Sequence, residues 1–360
     1  MRTSDRGVWG NIVIDLIDTD RVRGCLLAGA AGDALGAPVE FDSWSRIEHD
    51  FGSRGITGYT AQRGFGFGAI TDDTQMTLFT LEGLLRARER GTDPVDEVRT
   101  AYLDWFATQG GDVPHRTGEL VHDRRLHARR APGLTCLSAL EALAVGKAAV
   151  NDSKGCGGVM RVAPVALVAE PGAPDWAIFT LAAELARLTH HHPSGFLPAG
   201  VLAVMVRALL GTASVEQALD AGLTSLRENA GAEERAETER ALHDAVASAR
   251  GGTPPPGRIE QHLGGGWTGE SALAIAVCAA LCASDLRDGV RVAVNHSGDS
   301  DSTGAIAGNL LGARDGVAAI PPEWLDRLEC RDLVEKLAEQ VARVRGRAAL
   351  RGCSGPGPGC

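Results

Sequence analysis

The stretch NHSGDSDSTGAIAG, residues 295–308, sets the carboxylates of Asp299 and Asp301 among hydroxyl side chains and then runs straight into small, apolar residues. A solvated turn is one reading of the Asp- and Ser-rich half. The other is a set of oxygen ligands at the start of a helix whose Gly and Ala residues let it sit deep in a core. A self-contained calcium loop is excluded. Asp299, Asp301, Thr303 and Gly304 match its positions 1, 3, 5 and 6, but its twelfth position, which requires Glu, is Leu310. Ligands to any ion held here therefore come from elsewhere in the chain.

The segment AITDDTQM, residues 69–76, supplies them. Thr71, Asp72 and Asp73 stand at the start of a helical pattern, where one carboxylate suffices as a cap. Two adjacent Asp between two Thr exceed that requirement. Four carboxylates with hydroxyls select hard cations, Mg²⁺ or Mn²⁺ before zinc. Without metal, four packed Asp would repel one another and raise their pKa values. A two-metal site, with ions about 3.5–4 Å apart, would cancel that charge and clamp neighbouring oxygens of a substrate.

The chain of 360 residues is 44% hydrophobic and only 4% aromatic, with a formal charge of −10. This balance points to a globular protein and away from nucleic acid, which calls for a basic stripe. The apolar run ALAIAVCAALCA is too short to span a bilayer, and no N-terminal targeting pattern is present, so the expectation is a monomeric cytoplasmic protein without a membrane partner. Eight cysteines, none in a C-x-x-C pair, read as buried structural thiols.

Helical spacing dominates, and alternating strand patterns are almost absent. Thr19 and Asp20 can cap a helix through RVRGCLLAGAA, 71–74 precede a helix ending at Gly91, and Asp93 or Pro94 opens another through Phe106. Further helices are expected over 134–149, 175–190, 197–210, 214–229, 232–249, 270–283, 301–313 and 330–346. The fold class is all-α: a compact multi-helix domain over 20–346 around a central two-metal site, with an N-terminal extension at 1–19 and a disordered tail at 347–360. The Pro/Gly-rich break at 249–267 reads as a loop within that domain. AGAAGDALGAPVEF (28–41) lacks dinucleotide-loop spacing and reads as close helix packing with Glu40 at its end. NDSKGCGGVMRVAP (151–164) is either a plain turn or a loop whose glycines offer N–H groups to a diphosphate. LTHHHPSG (188–195) reads as a helix end, where the dipole favours histidine.

Taken in order, GAAGDALGAPVEF, TDDTQM, SKGCGGVMRVAP, THHHP, GGGWTGESALAIA and NHSGDSDSTGAIAGNLLGA resemble the ADP-ribosylglycohydrolase family over about residues 22–316. The resemblance implies an all-α domain that binds two Mg²⁺ (or Mn²⁺) and hydrolyses the glycosidic bond at C1″ of ADP-ribose on a modified protein or small molecule. Thr71, Asp72, Asp73, Asp299 and Asp301 match the family's metal ligands, and its hydroxyl ligand falls on Ser302. Glu40 matches the acid near the substrate ribose, and Asp112, in GGDVPHRT with Pro114 replacing a glycine, matches a second acid. Glu40 or Asp112 would be the base or assist the leaving group. Gly155, Cys156, Gly157, Gly158 and Arg161 match the loop around the diphosphate, with Cys156 where Asn is frequent. His190 and His192 match a THGHP-like segment. Arginine is the expected linkage; a serine or other O-linkage, a diphosphate-cleaving hydrolase and a non-catalytic ADP-ribose reader are the alternatives.

Overall fold

The computed structural model describes residues 18–61 and 66–352, and of 346–352 the backbone alone. Among the described residues there are sixteen α-helices and no strand, the one β-type pairing being an isolated bridge between Gly155 and Thr268. The first half comprises α1 (Thr19–Gly36), α2 (Trp44–Phe51), α3 (Asp72–Arg90), α4 (Pro94–Thr108), α5 (Leu134–Ala144), α6 (Ala163–Val168), α7 (Asp175–Arg187) and α8 (Pro193–Leu210). The second comprises α9 (Val215–Asn229), α10 (Ala232–Ala249), α11 (Pro256–Leu263), α12 (Gly269–Cys282), α13 (Leu286–Val294), α14 (Ser300–Asp315), α15 (Pro322–Leu325) and α16 (Arg331–Gly352).

Local chemistry explains most boundaries. Asp18, rather than Thr19 or Asp20, caps α1 by accepting from the Asp20 amide. Thr71 caps α3, and Gly91 ends it in the left-handed region at φ 68°. Several boundaries differ from expectation: α7 ends at Arg187 and α8 begins at Pro193, and three larger differences follow. α5 stops at Ala144, because Gly146 turns the chain at φ 71°. The Pro/Gly-rich break folds in part into α11, with Pro256 at its first turn and Gly264 just beyond its end. α16 continues through the good helix formers of RAALR to Gly352, so the expected tail begins as helix; residues 353–360 and the extension up to 17 lie outside the described residues.

α8 is long and apolar enough to cross a membrane, yet 78% of it is buried against other helices of the protein. It carries Pro198 inside and packs on α7, α9 and α12. Cys25, Cys136, Cys278 and Cys330 are buried free thiols, as expected of structural cysteines.

The helix pair that positions the site is α1 against α14, run antiparallel. Gly24, Ala28, Gly32 and Gly36 face Gly312, Gly308, Gly304 and Ser300, one contact per helical turn. At each glycine of this ladder the first atom a β-carbon would meet is backbone: at Gly24 it would lie 2.5 Å from the Gly312 carbonyl oxygen, and at Gly304 2.5 Å from that of Gly32. The helices therefore touch main chain to main chain, which carries Asp33 and the α14 N-terminus into the core together. Gly32→Ala should lower stability by about 1–3 kcal/mol in chemical denaturation, because backbone cannot move aside as a side chain can. Gly257→Ala, in α11 with nothing nearby, should be neutral or stabilising. Equal effects of the two would refute backbone contact as the reason for these glycines.

Candidate active site

The two acidic segments begin two helices whose N-termini converge. Thr71 and Asp299 are the N-caps of α3 and α14, so Asp72, Asp73 and Asp301 lie in first turns, where the helix dipole favours negative charge. Asp299 accepts from the Ser302 amide at 3.3 Å, and Asp301 from the same amide at 2.9 Å. Thr303 turns inward, its hydroxyl donating to the Ala293 carbonyl at 2.8 Å, which leaves Ser302 on the cleft side. Glu40 comes in from the end of α1: Glu40, Asp299 and Asp301 each offer a ligand oxygen within 4.8 Å of the others, all three buried. This acidic triad can hold a metal ion.

Asp33 organises the cluster from behind. It is fully buried and accepts from the Thr71 amide at 3.0 Å, the Thr71 hydroxyl at 2.8 Å, the Thr74 amide at 3.1 Å and the Thr74 hydroxyl. It thus ties α1 to the first turn of α3. Asp33 is not among the residues the sequence singles out as ligands or catalytic groups.

Among the described residues no basic side chain forms an ion pair with Asp33, Glu40, Asp72, Asp73, Asp299 or Asp301. Burial is the main cause that raises the pKa of each, and the charge of Asp301 is the next for Asp33, Glu40, Asp72, Asp73 and Asp299. Asp33 reaches about 7 and Glu40 about 11. Glu40 Oε2 and Asp73 Oδ1 are buried without a hydrogen-bond partner. An all-oxygen donor set with orphaned oxygens and no internal counter-charge fits a hard divalent cation.

These groups open into a cleft of about 550 Å³, in the range of small-molecule sites. Asp72, Asp73, Asp299, Asp301, Ser302 and Glu40 line it, as do Gly155, Cys156, Gly157 and His190. Thr71 stays at the helix cap behind them. The Cys156 thiol donates to Asp299 Oδ2 at 2.8 Å, so it takes a donor's place against a cluster carboxylate. Gly158 is buried against the Gly195 backbone, and Arg161 is fully buried behind the wall. His192 caps α8, its Nδ1 accepting from the Ser194 amide at 3.0 Å. Asp112 is exposed and outside the cleft: the loop after α4 is drawn the other way, with Asp104 accepting from the Thr117 and Gly118 amides at 3.0 and 2.7 Å. The sequence reading missed Phe41 and Trp267, whose rings stack at 5.3 Å between centroids and 21° between planes on the cleft wall.

Buried carboxylates without counter-charge at the base of a ligand-sized cleft are a donor set that can hold divalent cations beside a small-molecule substrate. The chain belongs to the ADP-ribosylglycohydrolase family, which its residues 15–350 match. It is 28% identical over 332 residues to the ADP-ribosyl-[dinitrogen reductase] glycohydrolase of Rhodospirillum rubrum, covering 92% of this chain and 97% of that one. With the ADP-ribosylarginine hydrolase Tri1 of Pseudomonas putida it shares 26% identity, over 89% of this chain and 78% of the relative. A solved ADP-ribosylglycohydrolase-related protein complex superposes with a TM-score of 0.67 at 29% identity, covering 91% of this chain and 98% of its counterpart.

The raised carboxylates set the pH response of metal-free protein. Folded protein retains protons that the unfolded chain releases above about pH 4, so their stabilisation is full below that value and is lost as pH rises through about 7, where Asp33 titrates. In EDTA the Tm should fall from about pH 5 to about pH 8, and Mg²⁺ should flatten the slope. A level or rising Tm in EDTA would contradict this account.

Proposed function

We propose that this enzyme, with divalent cations bound, hydrolyses the glycosidic bond between C1″ of ADP-ribose and an arginine side chain of a modified protein. The observation that carries the reading is the convergence of Glu40, Asp72, Asp73, Asp299 and Asp301, all buried, in one cleft. Asp72, Asp73, Asp299, Asp301 and Ser302, with Thr71 at the cap, would hold Mg²⁺ or Mn²⁺, two ions in this reading. When bound, the cations supply Lewis acidity toward vicinal ribose hydroxyls and neutralise the carboxylates.

The chain's own groups divide the remaining work. Glu40 follows α1 after the short turn Ala37–Val39 and presents an unpartnered oxygen; ionised by the charge of the bound cations, it would take a proton from the attacking water. The carboxylates around it stabilise positive charge that develops on the ribose ring as the bond to C1″ breaks. An arginine-linked guanidinium is already cationic: as the C1″–N bond breaks, its electron pair goes to nitrogen, neutral guanidine departs, and the proton lost by the attacking water returns it to guanidinium; one relative bears the name of an ADP-ribosylarginine hydrolase. The backbone of the 155–157 turn, with His190 beneath it, suits the diphosphate. Phe41 and Trp267, 66% and 45% exposed, form a flat surface on which a purine can stack. This reading leaves Asp112 without a catalytic role. The buried free thiols support a reducing, cytoplasmic setting.

ADP-ribose should be released from arginine-linked peptides only when Mg²⁺ or Mn²⁺ is present, and faster than from serine-linked ones. Appearance of AMP instead would mean that the diphosphate is cut and the reading is wrong. Glu40→Gln should slow release by about 10²–10⁴-fold while ADP-ribose still binds. Trp267→Ala should weaken ADP-ribose binding by about 1–3 kcal/mol, the range of one base–aromatic stack, as read by calorimetry.

A further inference from the structure

Arg161 is a cation in the core with no carboxylate beside it. It is fully buried and forms no ion pair among the described residues; its guanidinium lies 4.4 Å from the Tyr102 ring centroid and 3.3 Å from Cys136 Sγ. An unpaired buried charge is costly, so its retention calls for a use. The shortest of its hydrogen bonds shows one: Nη2 donates to Thr189 Oγ1 at 2.6 Å.

That bond makes the Thr189 oxygen an acceptor and leaves its single proton to be donated. Two groups compete for it, the Ala186 carbonyl at 3.4 Å and His190 Nδ1 at 2.8 Å. The shorter contact prevails, so Nδ1 accepts and the ring proton resides on Nε2. Burial, then the charges of Arg161 and His191, lower the His190 pKa to about 3, which keeps the ring neutral. His190 is only 2% exposed, yet it lines the cleft, and its Nε2 has no hydrogen-bond partner in the described chain. This nitrogen sits directly under the glycine turn: a β-carbon at Gly155 would lie 3.1 Å from it, and one at Gly157 3.3 Å.

We propose that Arg161, acting through Thr189, is a positioning residue that locks His190 as the neutral Nε2–H tautomer, giving the cleft a fixed donor to the diphosphate of ADP-ribose. The ligand named here rests on the function proposed above; the tautomer does not. A neutral donor binds an anion without adding a mobile cation that would compete for the neighbouring carboxylates. Arg161 thereby acts on the substrate without touching it.

Nitrogen-15 NMR of histidine-labelled, ligand-free protein reads the tautomer, with His190 assigned through His190→Gln. Wild type and Thr189→Ser should show Nε2–H. Thr189→Val, which removes the hydroxyl and keeps Arg161, should show a mixture of tautomers; Arg161→Met, which removes the cation and keeps the hydroxyl, should do the same, with circular dichroism confirming the fold of each. Both should bind ADP-ribose about tenfold more weakly, the size of one neutral hydrogen bond, while the Tm rise on adding Mg²⁺ stays as in wild type. An Nδ1–H wild type, or an undiminished Nε2–H signal in the variants, would overturn the positioning role. A changed tautomer with unchanged ADP-ribose affinity would overturn the donor role. Because the tautomer is read without ligand, failure of wild type to bind ADP-ribose would count separately, against the functional reading and the ligand named from it.

Discussion

The main-chain contact between α1 and α14 is the constraint on which the site depends. Ordinary helix packing leaves about 8–10 Å between axes, filled by side chains. Here glycine faces glycine, and the carbonyls of one helix occupy the space that β-carbons would take on the other. Close approach leaves little rotational freedom, so Asp33 and the α14 N-terminus are fixed relative to each other by backbone alone. Glu40 follows because it leaves α1 within a few residues of the ladder's end, and its neighbour Phe41 donates its backbone amide to the Gly298 carbonyl at 3.3 Å. The glycines are thus part of the catalytic geometry although none bears a reacting group.

On that frame the protein assembles something a stable core avoids: six buried carboxylates without a basic partner among the described residues. Three devices soften the repulsion. The N-terminal dipoles of α3 and α14 both point at the cluster. Asp33 is saturated with donors from Thr71 and Thr74, and Asp299 gains the Cys156 thiol. None of these supplies a full positive charge, which is what divalent cations bring. The arrangement is locally unfavourable and globally enforced, as sites that bind charge often are.

Much of this was legible in the sequence, for physical reasons that differ by residue. TDDTQM and GDSDSTG stood out because their carboxylates exceed what capping uses, and both proved to cap helices while facing one cleft. The glycine-rich 28–41 segment read correctly as helix packing. Asp33 did not stand out, because its role depends on Thr74, a partner distant in sequence. Arg161 beside glycines resembles an anion ligand, and only Tyr102 of α4 and Thr189 in the turn after α7 show that it faces inward. Asp112 rested on a segment with Pro114 in place of a glycine, and in the fold it is exposed, on a loop whose later amides are accepted by Asp104 and Glu82. Short helices such as α11 and α13 escaped because their patterns are too brief to separate from loop.

The glycine ladder joins one of the first helices to be synthesised to one of the last. Its contacts are among the most non-local in the chain, and loops of that length close late. A nascent chain on the ribosome carries the Asp72 and Asp73 half of the centre long before Asp299 and Asp301 exist. Throughout that interval the small-residue face of α1 awaits its partner, a state that invites chaperone attention. A chain truncated before α14 would therefore carry only the Asp72 and Asp73 side of the acidic cluster, without Asp299, Asp301 or Ser302 to complete the cleft.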